Sequence, residues 1–141
     1  MAQWFRRVWN EADLSAIEEL ATPEMRSHGL VNTIEGRDAW VRDFYHPMRA
    51  SFSRIKVEML DEVISGDKIF GRLTATQIPK ATEQPIVMQG MCGMRVENGK
   101  LAESWDTWDF LGLLESMKLM PPNSFPRAIS GDLKPHPSAP K

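Results

Sequence analysis

Residues Ile86–Asp109 read IVMQGMCGMRVENGKLAESWDTWD, and this stretch decides the fold. Asn98-Gly99 at its centre is the dipeptide of a two-residue type I′ turn, whose two central residues need positive φ. The apolar residues on either side predict a strand from Ile86 to Glu97 and an antiparallel partner from Lys100 to Asp109. A two-residue loop sets Glu97 opposite Lys100, and therefore Met91 opposite Asp106, Gln89 opposite Trp108 and Gly93 opposite Ser104. Side chains alternate along a strand, so Gln89, Met91, Asp106 and Trp108 are expected on one face. Met88, Cys92, Met94, Val96, Leu101 and Trp105 fall on the other.

Upstream of the hairpin the period of two persists. Ile55, Val57 and Met59 alternate with Arg54, Lys56 and Glu58, Ser65-Gly66-Asp67 is turn chemistry, and Lys68 to Gln77 is the return strand. Residues 79–85 form a loop. Before these strands the period is helical. Trp4, Phe5, Val8 and Trp9 mark a first short helix, and Asp13 reads as the N-cap of a second, Leu14 to Leu20. Met25 to Val31 suits a short strand. Trp40, Phe44 and Met48 repeat at i+4 in the longest helical pattern, Arg37 to about Ser51, where Pro47 should kink or split the helix near Tyr45. Leu111, Leu114 and Met117 suggest a last short helix. Helices gathered before consecutive antiparallel strands predict an α+β fold: a curved antiparallel sheet around the long helix, closing a cone whose mouth is a pocket.

The 141 residues suit one domain, placed at 1–120, followed by a tail at 121–141 that holds six of the ten prolines and is expected to be extended or draped. With 42% apolar and 26% charged residues the chain can bury a core without a metal or disulfide staple. Cys92 is the one cysteine, so no intramolecular disulfide and no cysteine metal site can form; it reads as a small buried hydrophobe. A net charge of −2, with both signs interspersed, leaves no electrostatic footprint for nucleic acid. Neither a signal peptide nor a membrane span is readable, which points to the cytoplasm. No metal-ligand spacing, P-loop or nucleotide-binding glycine motif is present, and no metal site is expected.

Asp106 is the candidate for chemistry. It is flanked by Trp105 and Trp108 and expected opposite Met91, and a carboxyl in apolar surroundings has its pKa raised toward the range that general acid/base work needs. On the other reading that face is wet and Asp106 an ordinary surface acid. His28, the one histidine in a predicted strand, is either a site residue or a structural one. His46 beside Pro47 reads as a surface residue, and His136 has no role. Most of Met25, Met48, Met59, Met88, Met91, Met94 and Met117 read as core filling, Met91 excepted for its place opposite Asp106.

Val8-Trp9-Asn10 with Asp13-Leu14 and Ile17, Gly36-Arg37-Asp38-Ala39, Gly66-Asp67-Lys68, the run Arg95 to Asp106, Asp109 and Leu111-Gly112-Leu113-Leu114 together cover most of residues 4–117. In this order and spacing they resemble the SnoaL-like polyketide cyclases, within the cone-shaped superfamily of nuclear transport factor 2 and ketosteroid isomerase. The resemblance implies a homo-oligomer, dimer or tetramer, with a hydrophobic pocket and no cofactor. It also implies a last-strand aspartate as the acid/base of an intramolecular aldol closure. Asp106 matches that aspartate and Gln89 matches a glutamine on the preceding strand, whereas Met91 stands where the family has a histidine. The expected site is Asp106 as catalytic residue, with Gln89, Met91, Trp108, Trp9, His28, Phe44 and Met48 around a small apolar or polycyclic substrate. A non-catalytic binder of an apolar ligand is the alternative. An epoxide-hydrolase-like enzyme is another, with Arg72-Leu73-Thr74 or Gln89-Gly90-Met91 as nearest match to an Arg-x-Asp strand.

Overall fold

A computed structural model describes residues 1–30 and 32–133; Val31, His136 and the remainder of the tail lie outside the described residues. The chain divides into two compact units, with the boundary along the sequence between Asp109 and Phe110. In the first, one six-stranded sheet runs in the order β2-β1-β6-β5-β4-β3. Its strands are β1 (Ala21–His28), β2 (Ile34–Glu35), β3 (Phe52–Ser65), β4 (Lys68–Pro79), β5 (Ile86–Glu97) and β6 (Lys100–Trp108). The meander β3 to β6 matches the period-two pattern, with two-residue turns at Gly66-Asp67 and Asn98-Gly99. Asn98 and Gly99 have φ of 50° and 77°, the signature of the type I′ turn.

The sheet is mixed, not wholly antiparallel as expected, because β1 pairs with β6 in parallel. The chain leaves the β1–β2 edge through a helix and enters the opposite edge at β3. Three reversals then bring β6 beside β1 running in the same direction. The helix between those edges comprises α3 (Arg37–Trp40), a π-helical segment (Val41–Tyr45) and α4 (His46–Ser51). The change from π to α falls between Tyr45 and His46, where Pro47 was expected to split the pattern. Pro47, which has no N–H to donate, stands just after that change, where the backbone hydrogen-bond pattern switches.

The other helices of this unit are α1 (Ala2–Trp4), continued by a π-helical segment (Phe5–Asn10), and α2 (Ser15–Leu20). Asp13 Oδ1 accepts the Ala16 N–H at 3.2 Å, the capping read from the sequence. The apolar stripes meet in an aromatic cluster. Trp9 lies 5.9 Å from Trp40, 6.0 Å from Phe44 and 5.4 Å from Tyr45, ring centre to ring centre, and Trp4 lies 5.4 Å from Trp40. The Tyr45 hydroxyl donates to Val8 O at 3.2 Å. Asn10 binds the edge strand β3 as a peptide group would: its Nδ2 donates to Val57 O at 2.9 Å and its Oδ1 accepts the Val57 N–H at 2.7 Å.

In the second unit, α5 (Phe110–Ser116) and α6 (Ser124–Ile129) are joined through Glu115, whose carboxylate accepts the Asn123 N–H at 3.1 Å and the Ser124 N–H at 2.7 Å. A helix therefore occupies part of the segment expected to be an extended or draped tail. Pro126 permits it because it falls in the first helical turn, whose N–H groups have no partner within the helix.

Candidate functional site

Burial divides the sheet into two faces. Ile55, Val57, Leu73, Ala75, Met88, Cys92, Met94, Leu101 and Ser104 are buried on the inner face, whereas Val87, Met91 and Phe70 are exposed on the outer one. Asp106 pairs with Cys92, not with Met91, and Trp108 pairs with Gly90, not with Gln89. The expected register holds from the turn to Val96 and Leu101 and then slips at a β-bulge, where Ala102 is extra. Leu101 and Ala102 are consecutive and both 5% exposed, as a bulged pair on one face must be. Beyond the bulge every side chain of β6 changes face relative to β5. Asp106 and Trp108 join Cys92 and Met88 inside, and Trp105 moves outside. Gln89 and Met91 are therefore not beside Asp106; Met91 is 62% exposed on the outer face.

Asp106 is held by neutral donors. Ser104 Oγ lies 3.0 Å from Asp106 Oδ2 and 3.1 Å from Ser27 Oγ on β1, paired with Ser104 across the parallel ladder. With one proton to give, Ser104 donates to the carboxylate and can accept from Ser27. The Cys92 and Trp108 side chains share this face and also favour the charged carboxylate, while the Cys92 thiol lies 3.6 Å from Gly93 O. Burial pushes the Asp106 carboxyl above the ordinary aspartate value against the lowering effect of these three donors. Burial, followed by the charge of Asp106, pushes the Cys92 thiol far up, so Cys92 is a protonated donor and not a nucleophile.

Two glycines make room for this arrangement. Gly29 has φ of 88°, and a Cβ there would stand 1.9 Å from Asp106 O, so the chain can pass β6 only without a side chain. A Cβ on Gly90 would stand 2.3 Å from the Trp108 ring, so the indole lies over Gly90. Ser27, Cys92, Ser104 and both glycines were missed as site residues. Only the paired strand β1 brings Ser27 and Gly29 there, and its alignment to β6 has no local signal.

The remaining expected residues separate. His28 is on the outer face, where Nε2 lies 2.9 Å from Glu103 Oε1, Nδ1 2.9 Å from Thr33 Oγ1, and its ring stacks 5.9 Å from Trp105. Its place follows from alternation, because Ser27 beside it points inward. The His28 bond, followed by Arg95, holds the Glu103 carboxyl below the usual range. Trp9 and Phe44 do come together, within the aromatic cluster, and Met48 is half-buried on α4. A groove of about 220 Å³ opens beside α2, lined by residues that include Leu14, Ile17, Val41 and His46, and contains none of the expected site residues. Among the described residues no three His, Cys, Asp or Glu side chains are grouped to hold a metal ion. No helix among them is long and apolar enough to cross a membrane.

Fold and site define an α+β domain of the cone type, its sheet carrying a carboxyl held by neutral donors on the helix-covered face. The chain belongs to the SnoaL-like domain family, which matches residues 1–104. Solved structures agree in fold. IdmH from Streptomyces antibioticus, a candidate polyketide cyclase, is 22% identical with a TM-score of 0.71, over 83% of this chain and 94% of that one. A candidate SnoaL-like polyketide cyclase from Jannaschia sp. CCS1 is 18% identical with a TM-score of 0.73, over 85% and 90%. AclR from Streptomyces galilaeus, a candidate hydroxylase, is 20% identical with a TM-score of 0.73, over 85% and 94%. Among curated proteins none matches.

Proposed function

We propose that the chain is a cytoplasmic, homo-oligomeric SnoaL-like enzyme in which Asp106 moves a proton on a small apolar molecule, in cyclase or isomerase chemistry. The observation that carries this reading is the setting of Asp106. Its carboxyl is on the inner face, has only neutral partners among the described residues, and is pushed upward by burial. A carboxylate so placed can take a proton from the carbon beside a carbonyl, leaving an enolate. In a ring closure that enolate attacks a second carbonyl of the same molecule, and Asp106 returns its proton to the new alkoxide. Once Asp106 is protonated its pull on the Ser104 and Trp108 donors weakens, and these can turn to the enolate oxygen. The polar contact to substrate expected of Gln89 falls to them, since Gln89 is on the outer face. Arg72 bonds Asp61 at 2.8 Å on the exposed surface, which gives the epoxide-hydrolase-like alternative no support.

A non-catalytic binder is the second reading. It is favoured by one observation: the Ser104 hydroxyl is already committed to Asp106 at 3.0 Å and so is not free to meet a substrate oxygen. Deuterium exchange separates the two. An enolisable β-keto ester bearing a naphthyl group, followed by proton NMR in D₂O, should exchange its α-proton faster with the protein than in buffer. Asp106→Asn should slow the protein-dependent exchange by about a hundredfold or more. Equal rates for the two proteins would rule out the acid/base role.

A further inference from the structure

Gln77 lies on the inner face of β4, paired with Ile55 on β3 and Ile86 on β5. It is 2% exposed, and its amide oxygen Oε1 has no hydrogen-bond partner among the described residues. An acceptor buried without a donor costs more than an ordinary hydrogen bond contributes, and native folds hold few of them. Its same-face neighbours Ile55, Ala75, Pro79, Ile86 and Met88 have no side-chain donor to offer. The unmet acceptor thus sits in an apolar stretch of the face that also carries Asp106.

We infer that Gln77 Oε1 is a ligand-binding group, accepting a hydrogen bond from a hydroxyl or N–H of a small apolar molecule on the inner face. Asp106 pairs with Cys92, and Cys92 with Gly71, so Gly71 marks its level on β4. From Gly71 to Gln77 the strand runs about 20 Å at roughly 3.3 Å per residue. Between them Leu73, Ala75 and Met88 are 0%, 1% and 5% exposed, an apolar stretch covered by the protein's own packing with a polar group toward each end. A ligand that reaches Gln77 must displace part of that cover, and the stretch suits an elongated apolar molecule whose hydroxyl or N–H lies at the end remote from the reacting carbon. The inference rests on the inner face being the ligand surface, and not on Asp106 being a catalyst.

The test uses 2-naphthol, which has a donor, and 2-methoxynaphthalene, which has the same ring and none. Binding is followed by ring fluorescence and by the NMR signals of the Gln77 side-chain amide. The full chain should bind the naphthol about tenfold more tightly, the worth of one hydrogen bond, and only the naphthol should shift the amide signals. Gln77→Leu should abolish the preference, and Gln77→Met serves the same purpose if the leucine variant does not fold. Asp106→Asn should retain the preference. Absence of saturable binding, equal affinities for the two probes, or a preference that survives both Gln77 variants would overturn the inference. A preference lost in Asp106→Asn and kept in Gln77→Met would overturn it too, assigning the donor contact to Asp106 and leaving the proposed function intact.

Discussion

Asp106 and Glu103 stand close together on β6 and titrate in opposite directions, because alternation sends them to opposite faces. Inside, burial raises the Asp106 carboxyl; outside, His28 and then Arg95 lower Glu103. At the N-terminal helices, Ser15 and Arg7 lower Asp13 to about 2. The consequences for stability have opposite signs. A raised carboxyl binds its proton more tightly in the folded chain. Its stabilising share is complete below the unfolded value of about 3.9 and is lost as pH rises through the folded pKa. The shares of Glu103 and Asp13 are present above their unfolded values and lost as pH falls. Asp106→Asn removes only the first effect. Urea denaturation at several pH values should therefore show the wild type gaining on Asp106→Asn as pH falls from 7 toward 4. At pH 7 the variant should be no less stable. A difference independent of pH would mean that Asp106 titrates normally.

At the scale of elements, short-range chemistry was legible and long-range registration was not. Asn98-Gly99 showed the hairpin and its turn type, because both φ values follow from the two residues alone. The bulge at Ala102 has no such local signature. β1 slips against β6 over the same stretch, between Ala21 and Arg26, so the irregularity belongs to three strands at once. That slip separated Gln89 and Met91 from Asp106 and put Cys92 in their place, whereas Ser104 shares the Asp106 face by alternation along β6. Asn10 is a second long-range device, since its amide bonds both backbone groups of Val57 on the sheet's edge. Asn10→Ala should cost about 1–2 kcal/mol for the two bonds. The urea midpoint should fall with an unchanged denaturant slope, and an unmoved midpoint would show that the clip contributes nothing.

For the whole molecule, the outer face of the sheet raises the question of assembly. Val87, Met91 and Phe70 are 67%, 62% and 47% exposed there on adjoining strands, the kind of apolar surface that marks an interface. If the chain is a homo-oligomer through this face, sedimentation velocity at micromolar concentration should show a species larger than the monomer. Met91→Arg should then return it to monomer with its melting temperature little changed. A monomeric wild type, or an oligomer indifferent to Met91→Arg, would exclude this face. The sequence by itself determined the α+β class, the meander and its turns, the Asp13 cap and Asp106 as the residue to examine. Periodicity and turn chemistry act over a few residues, and each of these features is decided within that range. Tertiary structure alone decided the parallel pairing of β1 with β6, the bulge, the approach of Cys92 and Ser27 to the Asp106 site, the outward place of His28 and the unpartnered amide oxygen of Gln77. Each depends on which distant strand lies alongside, and one extra residue in a strand turns every later side chain to the opposite face.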